Sequence, residues 1–81
     1  MYKFIPYETI MKYMPMIIAN GVSEVARSKG QFLDQYKQHG TNLPPEWKLK
    51  RQNFIKRHLA QYKVNPTPRR QLALIAWAYK P

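Results

Sequence analysis

The chain has 81 residues, 44% of them hydrophobic, and its 14 Lys and Arg against 4 Asp and Glu give a formal net charge of +10. This apolar fraction argues against disorder, and no apolar stretch reaches the roughly 20 residues that a spanning helix needs. Because cysteine is absent, disulfides and thiolate zinc sites are excluded. We expect a single domain over residues 1–81, without integral membrane association.

The amino terminus lacks the charged start and long apolar middle of a secretory signal, so we expect an intracellular, cytoplasmic protein. A core of this size provides only about 3 to 5 kcal/mol of folding stability when no disulfide or structural metal adds to it. A homodimer or another bound partner is therefore a further expectation.

The first predicted helix runs from Tyr7 to Ala19, where apolar residues recur every three or four positions. Pro6 can occupy the first helical position, and Asn20-Gly21 provides a stop. Pro15 lies inside this run, which predicts a kink or a division into two short helices.

Two short helices are predicted next, one capped by Ser23 and one from Gln31 to Gln38 that ends at Gly40. The spacing of Val25-Ala26 to Gly30 is similar to the turn of a helix-turn-helix motif. On that alignment Val22, Val25 and Tyr36 take apolar positions, and the polar residues that could read base edges are Gln31, Gln35 and Gln38, with Asp34 beside them. The alternative is an ordinary turn between two helices, since Lys29, Gln31 and His39 fall where this motif requires apolar residues.

The clearest predicted helix runs from Pro45 to about Tyr62 and carries one apolar, aromatic-rich face. Thr67 then reads as a cap and Pro68 as the first residue of a closing helix that extends to about Tyr79. This last helix is apolar nearly all round, which indicates burial. The predicted fold is therefore all-α, a small bundle of four to five short helices with a largely buried carboxyl-terminal helix.

The positive charge is concentrated in residues 45–81, which hold nine Lys or Arg and one acid, whereas residues 1–44 hold five and three. Cations interleaved with aromatic rings can bind phosphates while the rings pack or stack on bases. The predicted phosphate contacts on the long helix are Lys48, Lys50, Arg51, Lys56 and Arg57. The alternative is that the aromatic residues form core and that Arg51 extends along it to reach water.

Two arginines follow the cap of the closing helix, where Asp or Glu is usual because a helix amino terminus carries partial positive charge. Thr67, Arg69 and Arg70 could therefore form a phosphate-binding corner. The alternative is that one of the four acids folds back to supply the anion.

Catalysis finds little support, and we expect no enzyme activity, no cofactor and no metal site. Ser23 and Ser28 have no nearby histidine, and Asp34 and His39 miss the spacing that places two metal ligands on one helical face. The three glycines form no phosphate-binding loop.

The sequence therefore predicts a nucleic-acid-binding protein, with duplex DNA slightly preferred to RNA because a helix fits the major groove. It would work in the cytoplasm, at the nucleoid or in a nucleoprotein assembly. The alternative is a small adaptor or inhibitor that docks a basic face on an acidic protein partner. A peripheral membrane protein, with Trp47 or Trp77 at an anionic surface, is a third and weaker hypothesis.

Overall fold

A computed structural model describes residues Tyr2–Pro81 and is helical throughout its regular structure. Its elements are α1 (Tyr7–Ala19), α2 (Glu24–Arg27), α3 (Phe32–His39), α4 (Pro45–Val64) and α5 (Pro68–Ile75). The predicted all-α bundle with a buried closing helix is confirmed. None of the helices in this part of the chain has both the length and the apolar character needed to cross a bilayer.

The closing helix α5 lies at the centre of the molecule, since α1 packs on it and α4 packs on it as well. Leu74 and Ile75 are fully buried, and Trp77 in the following turn is 8% exposed. The Trp77 ring stacks on Phe32 with 4.7 Å between the ring centroids, which joins α3 to the same core. The sequence of α5 is therefore apolar on all sides because several neighbouring helices contact it.

α1 is one helix that contains Pro15, so the predicted division into two short helices is wrong. Pro15 has no N–H and cannot bond the carbonyl of Met11, which is the local cost of keeping proline inside a helix. The predicted stop is confirmed, because Asn20 is the carboxyl cap and Gly21 adopts φ +62°.

The likeness to a helix-turn-helix motif fails at α2, which has only four residues. Val25 was expected to be buried, but it is 67% exposed, while Ala26 is 1% exposed and faces the core. Ser23 precedes α2 with φ +53° and makes no side-chain cap. Its hydroxyl instead donates to the carbonyl of Ala73 in α5 at 3.3 Å.

α5 ends at Ile75, four residues before the predicted end near Tyr79. The Tyr79 N–H bonds the carbonyl of Leu74 at 3.1 Å, and the Ala78 N–H bonds that of Ile75 at 2.9 Å. This pair of bonds is the Schellman motif, which requires a left-handed residue and usually takes glycine. Here Ala78 occupies that position with φ +63°, so the usual glycine signal of a helix end is missing.

Candidate nucleic-acid interface

Arg51 was predicted to contact nucleic-acid phosphates from the surface of α4, but its side chain is only 3% exposed and does not lie on that surface. Its position on α4 shares a face with buried Trp47 and Ile55, so the guanidinium enters the core. All three nitrogens donate to backbone carbonyls at 2.8–3.1 Å. The acceptors are the carbonyls of Tyr2, Lys3, Trp77 and Ala78. Arg51 therefore joins the amino-terminal segment to the turn that follows α5.

The buried Arg51 charge is stabilised by carbonyl dipoles and by an aromatic ring. Its Cζ lies 3.8 Å from the centroid of the Phe4 ring, a cation–π contact. Burial lowers the pKa of Arg51 to about 10, because the charged form loses solvation. The group is still protonated at neutral pH.

Arg69 and Arg70 were expected to clamp one phosphate, with a carboxylate as the alternative partner. The structure places each beside the carboxyl end of a different helix. Arg69 Nη1 donates to the carbonyl of Asn20 at 2.5 Å, at the end of α1. Arg70 Nη1 donates to the carbonyls of Gln61 at 3.2 Å and Asn65 at 2.9 Å, at the end of α4. The carboxyl end of a helix carries partial negative charge. These two helix ends therefore attract the arginines in place of the carboxylate that the alternative required.

Both arginines keep N–H donors for which residues 2–81 provide no acceptor. Among the side-chain hydrogen bonds of residues 2–81, only Nη1 of each side chain takes part. Arg69 is exposed and Arg70 is half-buried. The predicted Thr67 cap is confirmed, since Thr67 Oγ1 accepts from the Arg70 N–H at 3.2 Å. The corner thus has a structural role and retains N–H groups for an external anion.

Two grooves adjoin at Phe54, and we call them together the basic groove. The first holds about 330 Å³ between α4 and the α2–α3 segment. It is lined by Val25, Gln31, Trp47, Lys50, Asn53, Phe54, Arg57 and Trp77. The second holds about 580 Å³ between α4 and the start of α5. It is lined by Gly21, Val22, Ser23, Phe54, His58, Gln61, Thr67, Arg69, Arg70 and Ala73.

The basic groove brings together six of the residues predicted from the sequence. They are Gln31, Lys50, Arg57, Thr67, Arg69 and Arg70. Lys50 and Arg57 are seven residues apart, which places them on one flank of α4. No carboxylate lines either part of the groove. The lining of the basic groove is therefore free of acids and includes four cations.

The other predicted residues lie elsewhere, so the cations of α4 do not form one patch. Lys48 and Arg51 line a separate cavity, and Lys56 is exposed but borders none of the described cavities. Gln35 and Gln38 lie on the same outer face of α3 as Gln31, away from its buried residues, but neither lines the groove.

Sequence reasoning missed the stack of Phe54 on His58 at the junction of the two grooves. Their ring centroids lie 3.9 Å apart with an interplanar angle of 20°. Burial lowers the pKa of His58 below its ordinary value of 6.5, and the positive charge of Arg57 lowers it further. The four-residue spacing of the two rings on one helical face was the signal that could have found this pair.

No group of three His, Asp or Glu side chains within residues 2–81 could hold a metal ion. Comparisons with models of protein families, with curated proteins and with solved structures give no match to this chain.

Proposed function

We propose that the protein binds nucleic acid through the basic groove, with duplex DNA slightly preferred. One observation carries the proposal: Lys50, Arg57, Arg69 and Arg70 border two adjoining grooves that contain no carboxylate. Within residues 2–81, every arginine side chain that forms a hydrogen bond donates it to a backbone carbonyl. The positive charge of the groove is thus available to a polyanion. The protein would work in the cytoplasm, at the nucleoid or in a nucleoprotein assembly.

The groove suits phosphate contacts better than base stacking. Lys50 and Arg57 are separated by about 10 Å along the axis of α4, so they can contact different phosphates of one backbone. The two tryptophans of the groove, Trp47 and Trp77, are each only 8% exposed, and Lys50 Nζ lies 4.5 Å from the Trp47 ring centroid. Single-strand binding relies on accessible ring faces, which these rings do not offer, so this arrangement favours a duplex.

Of the three glutamines predicted to read base edges, only Gln31 lines the groove, beside Lys50 and Arg57. Its amide can donate to and accept from an adenine in the major groove. Gln35 donates to the carbonyl of Gly30 at 3.4 Å instead.

The test is fluorescence anisotropy with duplex DNA, single-stranded DNA and duplex RNA over a salt series. Four phosphate contacts predict that log K falls with log[salt] at a slope of about −3.6 on duplex DNA, because each contact contributes about −0.9. Lys50→Gln with Arg57→Gln should reduce the magnitude of that slope by about 1.8. A flat salt dependence of binding to all three nucleic acids would refute the proposal.

A matched control removes the same charge from the opposite flank of the same helix. Lys56 and Lys63 are exposed and line none of the described cavities. Lys56→Gln with Lys63→Gln should change the slope much less than the groove variant, since only long-range attraction is lost. Equal losses in the two variants would show that net charge, and not the groove, governs binding.

A second function is favoured by one observation, the exposed Val25 at the border of the groove. Val25 is 67% exposed and lies beside a lining that is in part aromatic. An acidic protein could bury Val25 while it pairs with the cations. Purification at high salt after nuclease treatment separates the two functions, because a protein that stays bound in stoichiometric amount favours the adaptor.

A further inference from the structure

A third cavity lies on the flank of α4 opposite the basic groove and holds about 280 Å³. It is enclosed by the segment before α1, the loop between α3 and α4, and the early turns of α4. The lining residues are Tyr2, Phe4, Thr41, Lys48, Arg51 and Gln52. None of them borders the basic groove, so this cavity is a separate site.

The polar lining of this cavity contains two cations and no carboxylate. Lys48, Arg51 and Gln52 are three and four residues apart on α4, which makes them neighbours on one helical face. Lys48 and Gln52 are exposed at the mouth, whereas Arg51 is 3% exposed. The site therefore has a buried charge in its interior and an exposed charge at its entrance.

Arg51 has an unused donor as well as an uncompensated charge. A guanidinium has five N–H groups, and four hydrogen bonds to carbonyl oxygens use one from Nε, one from Nη1 and two from Nη2. One Nη1 N–H has no acceptor among residues 2–81. Carbonyl dipoles solvate the guanidinium without neutralising it, so an anion in the cavity would provide the missing counter-charge.

The apolar walls of the cavity are held in place by packing. Phe4 stacks on Tyr36 at 5.5 Å and 23°, while Arg51 covers it at 3.8 Å. Tyr2 meets Tyr79 edge to face at 5.5 Å and 74°. These rings exist in fixed positions before a ligand arrives, and they would contact its apolar body with their edges.

We propose that this cavity binds a small organic anion, in which a carboxylate or phosphate monoester is carried on one ring-sized apolar body. Lys48 and Arg51 bind the anionic group, and Thr41 and Gln52 supply neutral hydrogen bonds. The volume lies just below the range of about 300 to 1,000 Å³ that is usual for drug-sized ligands, so a single ring with its anionic group fits inside. This site does not depend on nucleic-acid binding, since no residue of the basic groove contributes to it.

The test is a titration of the ¹⁵N-labelled protein by NMR, with benzoate and phenyl phosphate as the two anionic probes. At least one probe should give saturable shifts of the amides of Thr41, Lys48 and Gln52, and the stronger of the two identifies the anionic group. Benzyl alcohol tests the ring alone and inorganic phosphate tests the anion alone. Each should bind at least about tenfold more weakly, because each lacks half of the recognised chemistry.

Two single substitutions complete the test without disturbing Arg51, which holds the fold together. Lys48→Gln should weaken binding of the better probe by about tenfold. Lys56→Gln makes the same change of charge two turns further along α4 and should leave binding unchanged. Absence of saturable shifts with both probes, equal binding of benzyl alcohol, or equal effects of the two substitutions would overturn the proposal.

Discussion

Substitution of Arg51 by methionine tests whether one buried cation holds the two ends of the fold together. Methionine keeps a long unbranched side chain and removes every donor. Three of the four acceptor carbonyls would then lose their donor, whereas the carbonyl of Ala78 keeps the bond from the Ile5 N–H at 2.9 Å. The expected result is a large loss of stability despite a gain in side-chain hydrophobicity.

The magnitude follows from where the carbonyls lie. The bond to the Trp77 carbonyl is buried, while those to Tyr2 and Lys3 are partly buried and can be replaced by water. A buried carbonyl without a donor costs about 1 to 3 kcal/mol, and the rehydrated ones cost less. Methionine also avoids the cost of burying a charge, which offsets part of this loss. We therefore expect the free energy of unfolding to fall by about 2 to 4 kcal/mol. That loss is most of the stability expected from a core of this size, about 3 to 5 kcal/mol.

Urea unfolding followed by circular dichroism at 222 nm measures the effect. Arg51→Lys should fall between the wild type and Arg51→Met, because an ammonium keeps the charge but lacks the planar fork of five donors. Arg57→Met, an exposed site on the same helix, should change stability by no more than about 0.5 kcal/mol. An Arg51→Met variant within the same 0.5 kcal/mol of the wild type would refute the reasoning.

Substitutions at four further positions test smaller features of the fold. Thr67→Ala removes the cap of α5 and should cost about 1 kcal/mol in urea unfolding, whereas Thr67→Ser should restore most of it. Tyr36→Phe removes a hydroxyl that donates to the carbonyl of Ile5 at 2.7 Å and should also cost about 1 kcal/mol. The pKa of His58 is lower in the folded protein than in the unfolded chain. As the pH falls, the unfolded chain therefore protonates His58 before the folded protein does, and stability should decrease below pH 6.5. His58→Gln should abolish that contribution between pH 7.5 and 5.5, and Arg57→Gln should raise the pKa of His58 in an NMR titration.

The starts of α4 and α5 and the end of α1 were predictable because their signals are local. Pro44-Pro45 at the start of α4, Thr67-Pro68 at the start of α5 and Asn20-Gly21 after α1 act within a turn of the helix ends that they define. The end of α5 was not predictable in this way. Its left-handed residue is Ala78, and burial on all sides, not a glycine, holds that conformation in place.

The placement of the arginines could not be predicted because their partners are distant in sequence. Arg51 bonds carbonyls that are 26 to 49 residues away, and a backbone carbonyl has no signature in the sequence. The helical wheel already placed Arg51 on the aromatic face, but the alternative drawn from it was a side chain that reaches water, whereas the guanidinium ends in the core. Arg69 and Arg70 were recognised as unusual at a helix start, but tertiary packing decides which helix ends they approach.

The Arg51 contacts place the two ends of the described chain side by side. One guanidinium bonds carbonyls at positions 2 and 3 and at positions 77 and 78, and the Ile5 N–H meets the carbonyl of Ala78. Segments that lie this close can be joined in an engineered, circularly permuted version of residues 1–81. A short linker would connect the two segments, and new ends would open at the exposed Lys29. The rearranged polypeptide would keep all five helices and would encode the two halves of the Arg51 site as one continuous stretch.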